Sequence, residues 1–205
     1  MGHRMQSDSV PTVVLLAGPN GSGKSTAAPA ILRDLCRVEE FVNADTIAHG
    51  LSAFGPERVS VTAGKLMLAR LRELAEAHSR FAFETTLASR TFAPWLAELK
   101  SAGYLFYLVF LWLPSPDLAV QRVRERVRLG GHTVPEETIR RRYASGLRNF
   151  FGLYMSIATK WRMYDNAGSD PRLVAFGSAL AADGVLDADC WRRIQAHGSQ
   201  DRRTC

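Results

Sequence analysis

The segment from Gly18 to Ser25 constrains this chain more than any other, because it fits the pattern G-x-x-x-x-G-K-[ST]. Glycines in this pattern let main-chain N–H groups converge on one anion, and the following helix points its positive end at the same anion. The preceding residues, 13–17, form a short apolar run, which is typical of a strand buried on both faces of a parallel sheet. The segment therefore predicts a phosphate-binding loop between a strand and a helix.

This loop predicts how ATP and Mg²⁺ would be bound. We expect the main chain to surround the phosphates, Lys24 to reach the β- and γ-phosphates, and the Ser25 hydroxyl to coordinate Mg²⁺. The predicted nucleotide-binding residues are Gly18, Pro19, Asn20, Gly21, Ser22, Gly23, Lys24, Ser25, Thr26 and Arg122. A glycine-rich turn without a ligand is the alternative, which the preceding strand disfavours. Pro29 falls inside the predicted helix and is expected to bend it.

Strands and helices alternate along the chain, which predicts an α/β fold with a five-stranded parallel sheet and helices on both faces. The predicted strands are 13–17, 40–44, 80–85, 104–113 and 173–176. The predicted helices are 27–35, 57–78, 92–101, 117–129, 136–157 and 187–196. We expect a single domain over 10–197, with flexible termini at 1–9 and 198–205.

Size and charge narrow the class of protein. A chain of 205 residues with 46% hydrophobic content suits one core, and a net charge of +6 indicates an anionic ligand. No apolar run is long enough to cross a bilayer, so we expect a cytoplasmic protein without membrane association. The three cysteines are widely spaced and indicate neither a disulfide framework nor a zinc site.

Two carboxylates lie at the carboxyl ends of predicted strands, at the edge of the sheet where the phosphate loop lies, and ligands of open parallel sheets bind at that edge. Asp45 is a candidate general base for an acceptor hydroxyl, or a water-mediated ligand of Mg²⁺. The alternative is that Asp45 only caps the next helix. Glu84, with Thr85 and Thr86, is a candidate for binding the substrate, and the alternative for Glu84 is a solvated residue at a strand end.

Eight arginines lie between Arg122 and Arg148. Arg122 and Arg126 share one helix face, and guanidinium groups are suited to the charge that develops in phosphoryl transfer. A helix–loop–helix with arginines in both helices predicts a lid at about 122–145 that closes over a nucleotide. Arg141 is a further candidate, and His132 is either a phosphate contact or an exposed loop residue. A solvated basic face is the alternative for the whole set.

Together these motifs resemble the zeta-toxin family of P-loop kinases, as a compact member. The resemblance is carried by the loop 18–25 and by 41–45, 83–87 and 122–135, and it extends to 141–143 and 164–166. It implies a P-loop kinase fold that uses ATP and Mg²⁺, with Asp45 as the catalytic base and Glu84 as a substrate contact.

The best-known members of that family phosphorylate a sugar hydroxyl of UDP-N-acetylglucosamine, which implies a small-molecule acceptor such as a nucleotide-sugar. Whether an antitoxin protein binds this chain stays open. The lid has Gly-Gly-His at 130–132 where those toxins have an arginine, so His132 or Arg141 would replace that arginine.

The sequence thus favours a kinase that transfers the ATP γ-phosphate to a hydroxyl of a small anionic acceptor, with Lys24, Asp45, Arg126 and Arg141 as catalytic residues. One alternative is a polynucleotide 5′-hydroxyl kinase. The basic charge favours it, whereas the lack of aromatic residues interleaved with the arginines disfavours nucleic acid. The other is a nucleotide-dependent binding or regulatory module with little transferase activity.

Overall fold

The computed structural model describes residues 10–35, 38, 40–53, 55–131 and 133–199, which contain a seven-stranded sheet in the order β2-β3-β1-β4-β5-β6-β7. The strands are β1 Thr12–Ala17, β2 Glu40–Val42, β3 Phe81–Thr85, β4 Leu105–Trp112, β5 Lys160–Asp165, β6 Arg172–Ser178 and β7 Ala181–Val185. Strands β1 to β5 are parallel, whereas β6 and β7 pair antiparallel. The predicted five parallel strands are therefore wrong in number.

Two strands that the sequence analysis did not predict account for this difference. β5 alternates exposed and buried residues over its first four positions, and its last residues, with Asn166, resemble a turn in sequence. β7 is a short edge strand of largely exposed small and polar residues, so it has no apolar pattern to detect. The segment predicted as a fifth parallel strand, 173–176, lies within β6 and runs antiparallel to β5.

β1 is buried on both faces, as its apolar run predicts. Val13, Leu15 and Ala17 belong to one apolar cluster, and Val14 and Leu16 belong to another on the opposite face. All six residues of β1 are at most 1% exposed. This burial fixes the strand at the centre of the sheet, and it fixes the start of the loop that follows it.

The helices cover both faces of the sheet. They are α1 Lys24–Pro29, α2 Ala44–Leu51, α3 Ser60–Glu76, α4 Phe92–Ser101, α5 Pro116–Arg128, α6 Glu136–Asn149, α7 Met155–Ile157 and α8 Ala188–Ser199. The α-helical geometry of α1 ends at Pro29 and continues as a π-helical segment, Ala30–Leu35. Proline lacks the N–H that the α-helical ladder needs, which explains the change. A second π-helical segment, Phe150–Tyr154, joins α6 to α7.

α5 and α6 cover the segment predicted as a lid, and they contribute to a small apolar cluster that includes Val123, Ile139 and Tyr143. The Tyr143 hydroxyl donates to the Leu113 carbonyl at 2.7 Å, which ties α6 to the residue after β4. A Cβ at Gly146 would lie 2.4 Å from the Thr86 carbonyl oxygen. The lid therefore packs closely against the loop that follows β3.

The C-terminal helix extends further than predicted, because Gly198 and Ser199, expected to be flexible, belong to α8. The predicted flexible segment 1–9 and the remainder of the predicted segment 198–205, residues 200–205, lie outside the described residues. Among the helices that the structure describes, none has both the length and the apolar character needed to cross a bilayer.

Candidate active site

The phosphate loop after β1 has a main-chain conformation that requires glycine. Gly18, Gly21 and Gly23 have φ angles of 147°, 76° and 79°, which favour glycine. A Cβ on Gly18 would lie 2.4 Å from the Leu111 carbonyl oxygen, and one on Gly21 would lie 2.7 Å from the Ala119 carbonyl oxygen. The loop is therefore held tightly between β4 and α5, in the shape of a cradle.

Lys24 lies inside this cradle and is only 7% exposed. Its ammonium donates hydrogen bonds of 2.9 Å to the carbonyl oxygens of Gly18 and Pro19. Burial lowers the pKa of Lys24 below its ordinary value, while the carboxylates of Glu84 and Asp45 oppose this shift. A cation is thus already placed where an anion would bind.

Ser25 and Glu84 meet at the same edge of the sheet. The Ser25 hydroxyl donates to the Glu84 Oε2 at 3.0 Å, across 59 residues of sequence. The parallel register pairs Leu16 of β1 with Glu84 of β3, so the phosphate loop and Glu84 leave the sheet side by side. The convergence that the strand order predicts is present in the structure.

Asp45 lies in the first turn of α2 and lines the same cleft. The cap of α2 is Asn43, whose Oδ1 accepts from the N–H groups of Asp45 at 2.7 Å and Thr46 at 3.2 Å. The Asp45 carboxylate is therefore not needed as the helix cap, which was the structural alternative for this residue. Asp45 remains on the wall of the cleft, where its charge acts on Lys24.

Three arginines of the lid reach the cleft, and they differ from the predicted set at one position. Arg122, Arg126 and Arg142 line it, whereas the exposed Arg141 does not. Burial lowers the pKa of Arg142, and the positive charge of Arg141 adds to this shift, which Asp45 opposes. The structure therefore places Arg142, and not Arg141, on the wall of the cleft.

The cleft has a volume of about 490 Å³. It combines cationic groups and carboxylates with an apolar part that includes Met67 and Phe92. Its lining residues are Asn20, Gly21, Gly23, Lys24, Ser25, Thr26, Asn43, Ala44, Asp45, Met67, Glu84, Thr85, Thr86, Phe92, Arg122, Arg126 and Arg142. The predicted Thr85 and Thr86 are both present, although the Thr85 hydroxyl oxygen accepts from the Leu87 N–H at 3.1 Å. His132 lies outside the described residues.

These residues fit a nucleotide with magnesium. A cradle that only glycine can form, with a buried ammonium inside it, suits a phosphate chain. Ser25, Asp45 and Glu84 offer the oxygen ligands that Mg²⁺ prefers. No cluster of three or more metal-ligating side chains occurs among the described residues.

Sequence analysis missed two residues beside the phosphate loop as candidate site residues. Asn166 contacts the phosphate loop, but the strand before it was not predicted. Arg142 lines the cleft, but the sequence analysis named its neighbour Arg141 instead. The loop 177–179 lies at the edge of the sheet opposite the phosphate loop. Its Ala179 carbonyl accepts from Trp161 near the start of β5, because β6 runs antiparallel to β5.

Comparisons with known proteins agree with this description. The AAA domain family AAA_33 matches residues 13–145, which is more than half of the chain. A protein of Haemophilus influenzae, described as an uncharacterized protein, is 26% identical over 132 residues, covering 63% of this chain and 91% of that protein.

Two solved structures share the fold at low sequence identity. The AvrRxo1-ORF1:-ORF2 structure with ATP has a TM-score of 0.72 and 17% identity, covering 93% of this chain and 65% of that chain. A structure of the PezAT chromosomal toxin-antitoxin system of Streptococcus pneumoniae has a TM-score of 0.63 and 18% identity, covering 95% of this chain and 88% of that chain. This chain thus spans about 65% of the AvrRxo1 chain.

The family match rests on the region that builds the site. Residues 13–145 contain β1, the phosphate loop, Asp45, Glu84 and most of the lid. The two solved structures show that this chain shares its α/β fold with the AvrRxo1 and PezAT proteins, in line with the resemblance drawn from the sequence. This chain therefore belongs to the AAA domain family AAA_33.

Proposed function

We propose that this protein is a kinase that transfers the γ-phosphate of ATP to a hydroxyl group of a small anionic acceptor. The observation that carries the proposal is the convergence of five groups around one cleft. The charges of Glu84, Asp45, Arg126 and Arg142 all act on the buried ammonium of Lys24. A cation cradle, two carboxylates and two lid arginines are the parts that phosphoryl transfer needs.

The phosphate loop and Lys24 bind the donor nucleotide. When the phosphates bind, the Lys24 ammonium exchanges its hydrogen bonds with Gly18 and Pro19 for bonds to phosphate oxygens. Ser25, already bonded to Glu84, is the residue that would hold magnesium. A bound Mg²⁺ would neutralise part of the charge on the phosphates.

Asp45 is the general base of the proposed reaction. The acceptor hydroxyl gives its proton to the Asp45 carboxylate, and its oxygen forms a new bond to the γ-phosphorus. The bond between that phosphorus and the β–γ bridging oxygen breaks, and ADP leaves with the electron pair. Arg126 and Arg142 stabilise the negative charge on the phosphoryl group during transfer.

The acceptor side of the cleft suits an anionic molecule with a polyhydroxy part. The Glu84 carboxylate would accept hydrogen bonds from hydroxyl groups of the acceptor, and the Thr85 and Thr86 hydroxyls would donate or accept them. Phe92 and Met67 offer an apolar surface. The resemblance to zeta toxins makes a nucleotide-sugar the first acceptor to test. PezAT is a toxin-antitoxin system, and the AvrRxo1 structure contains two components, ORF1 and ORF2. We therefore include a protein partner for this chain in the proposal.

Incubation with γ-labelled ATP, magnesium and separate acceptors tests the proposal. We expect label to move to a small anionic acceptor, with UDP-N-acetylglucosamine tested first, and not to a 5′-hydroxyl oligonucleotide. Labelling of the oligonucleotide that weakens steeply with salt would support a polynucleotide kinase instead. ATP retained without transfer to any acceptor would indicate a binding or regulatory module.

A matched pair of neighbouring arginines tests the lid. Arg142→Ala is expected to lower kcat by about 10- to 100-fold, which corresponds to a lost charged hydrogen bond of about 1.5–3 kcal/mol. Arg141→Ala removes the same side chain from an exposed position outside the cleft, so its kcat should stay within about threefold of the wild type. Steady-state kinetics on both variants decide the point, and equal losses would argue against a specific role for Arg142.

A further inference from the structure

Asn166 links the end of the sheet to the phosphate loop. It follows β5 directly and is 7% exposed. Its Nδ2 donates to the Ser22 carbonyl at 2.7 Å, and its N–H donates to the Trp112 carbonyl at 2.9 Å. The side chain thus holds the main chain of the loop, while the main chain of Asn166 is anchored to β4.

The amide of Asn166 also lies against the residue that precedes the catalytic lysine. A Cβ on Gly23 would lie 2.7 Å from the Asn166 Nδ2, and Gly23 has a φ angle of 79°. The left-handed conformation of Gly23 turns the chain into α1, where Lys24 begins the helix. The position of the amide and the conformation of the loop before Lys24 therefore depend on each other.

The same residue is the contact point of the lid. Arg122 of α5 donates from Nη1 to the Asn166 carbonyl and from Nη2 to the Ala167 carbonyl, both at 2.7 Å. Asp165 accepts from the Ala167 N–H at 3.0 Å and so stiffens this turn. Arg122, expected to bind the nucleotide, thus uses two donors to hold the loop after β5.

The side-chain amide of Asn166 donates to Ser22 through Nδ2, whereas its oxygen Oδ1 is left unsatisfied. Among the described residues, no hydrogen-bond partner occurs for the buried Oδ1 of Asn166. A buried acceptor without a partner is unfavourable, so the amide is not optimally placed for its own hydrogen bonding. Its defined orientation is the one that presents Nδ2 to Ser22.

We infer that Asn166 is a positioning residue, which sets the conformation of the phosphate loop through Ser22 and connects that loop to the lid through Arg122. This inference rests on the proposed nucleotide-binding function. Asn166 is not among the residues that line the cleft, so it acts through the loop and not on the phosphates.

Asn166→Asp tests this inference, because it keeps the shape of the side chain and replaces the Nδ2 donor by a carboxylate oxygen. ADP with magnesium is the probe, and its affinity is measured by titration calorimetry. At neutral pH we expect at least a tenfold loss of affinity, since two oxygens would face each other where a hydrogen bond was. Ser169→Ala, an exposed change in the same loop, should bind ADP as the wild type does.

The pH dependence separates positioning from a general loss of structure. Once protonated, the introduced carboxyl donates to the Ser22 carbonyl again, so the ratio of wild-type to variant affinity should narrow as the pH falls towards the ordinary carboxyl range, about 4. A ratio that stays large and constant with pH overturns the inference, as does a variant that binds ADP within twofold of the wild type.

Two further outcomes are decided by the same experiment. If Asn166→Asp does not fold, Asn166→Ala removes the amide without adding a charge and should also weaken ADP binding at least tenfold; unchanged binding overturns the inference. A folded wild-type protein that does not bind ADP overturns the proposed function together with the inference. Normal wild-type binding with an equally tight Asn166→Ala variant overturns the inference alone.

Discussion

Replacing Asp45 with asparagine is expected to lower the rate of phosphoryl transfer by about 10²- to 10⁴-fold, the usual contribution of a general base. ATP binding should survive, because Lys24 and the phosphate loop are unchanged and the two side chains have nearly the same shape. Helix α2 should survive as well, since Asn43 is its cap. The expected result is a folded protein that holds ATP and transfers almost nothing.

Three measurements check this prediction on the same variant: kcat with the identified acceptor, ATP affinity by titration calorimetry, and thermal unfolding. Asp183→Asn is a matched control, because Asp183 is an exposed carboxylate on the edge strand β7. It should leave all three quantities unchanged. A wild-type kcat in Asp45→Asn would remove the base from the proposed mechanism.

The sequence predicted the part of the site that is built from local patterns. The loop 18–25, the buried strand β1 and the carboxylates Asp45 and Glu84 were all found, because the loop and both carboxylates lie at the carboxyl ends of predicted strands. The carboxyl ends of parallel strands meet at one edge, so their convergence follows from topology alone. The hydrogen bond between Ser25 and Glu84 is the clearest confirmation.

The sequence analysis named Arg141 and not Arg142, although the sequence itself contained a signal that separates the two. Ile139, Tyr143 and Leu147 are buried and define the packed face of α6. At 3.6 residues per turn, Arg141 points away from that face, whereas Arg142 lies on its flank. The phase of the apolar residues within the helix, and not the density of arginines, was the informative signal.

Apart from the resemblance at 164–166, Asn166 had no comparable local signal. Its contact with Ser22 joins residues 144 positions apart, and it exists only because β5 ends beside the phosphate loop. β5 was missed since its exposed Lys160 and Arg162 interrupt the apolar pattern of a central strand. A residue placed by tertiary packing alone cannot be found from local sequence.

Replacing Lys24 with methionine is expected to lower the rate of phosphoryl transfer by about 10²- to 10³-fold, because a preorganised charge next to the transferred group is lost. Its effect on stability depends on pH in a direction that the structure fixes. Burial lowers the pKa of Lys24 in the folded protein below its ordinary value of 10.5. Folding therefore favours the neutral form of this side chain.

The sign follows from proton linkage. Below the folded-state pKa, Lys24 is charged in both states and its buried charge opposes folding. Between that pKa and 10.5 the unfolded chain binds more protons than the folded one, so this group adds stability as the pH rises. Methionine lacks this titration, so the unfolding free energy of the wild type minus that of Lys24→Met should increase from neutral pH towards 10.5.

Chemical denaturation of both proteins over this pH range measures the difference. Lys65→Met is the matched control, because Lys65 is exposed on α3 and its replacement should give a difference that does not change with pH. A difference that is flat or falls with pH in Lys24→Met would mean that burial does not destabilise the charged ammonium. The expected rise would show that the protein keeps a cation in its phosphate cradle at a cost to folding, which is the arrangement that a site selected for binding triphosphate requires.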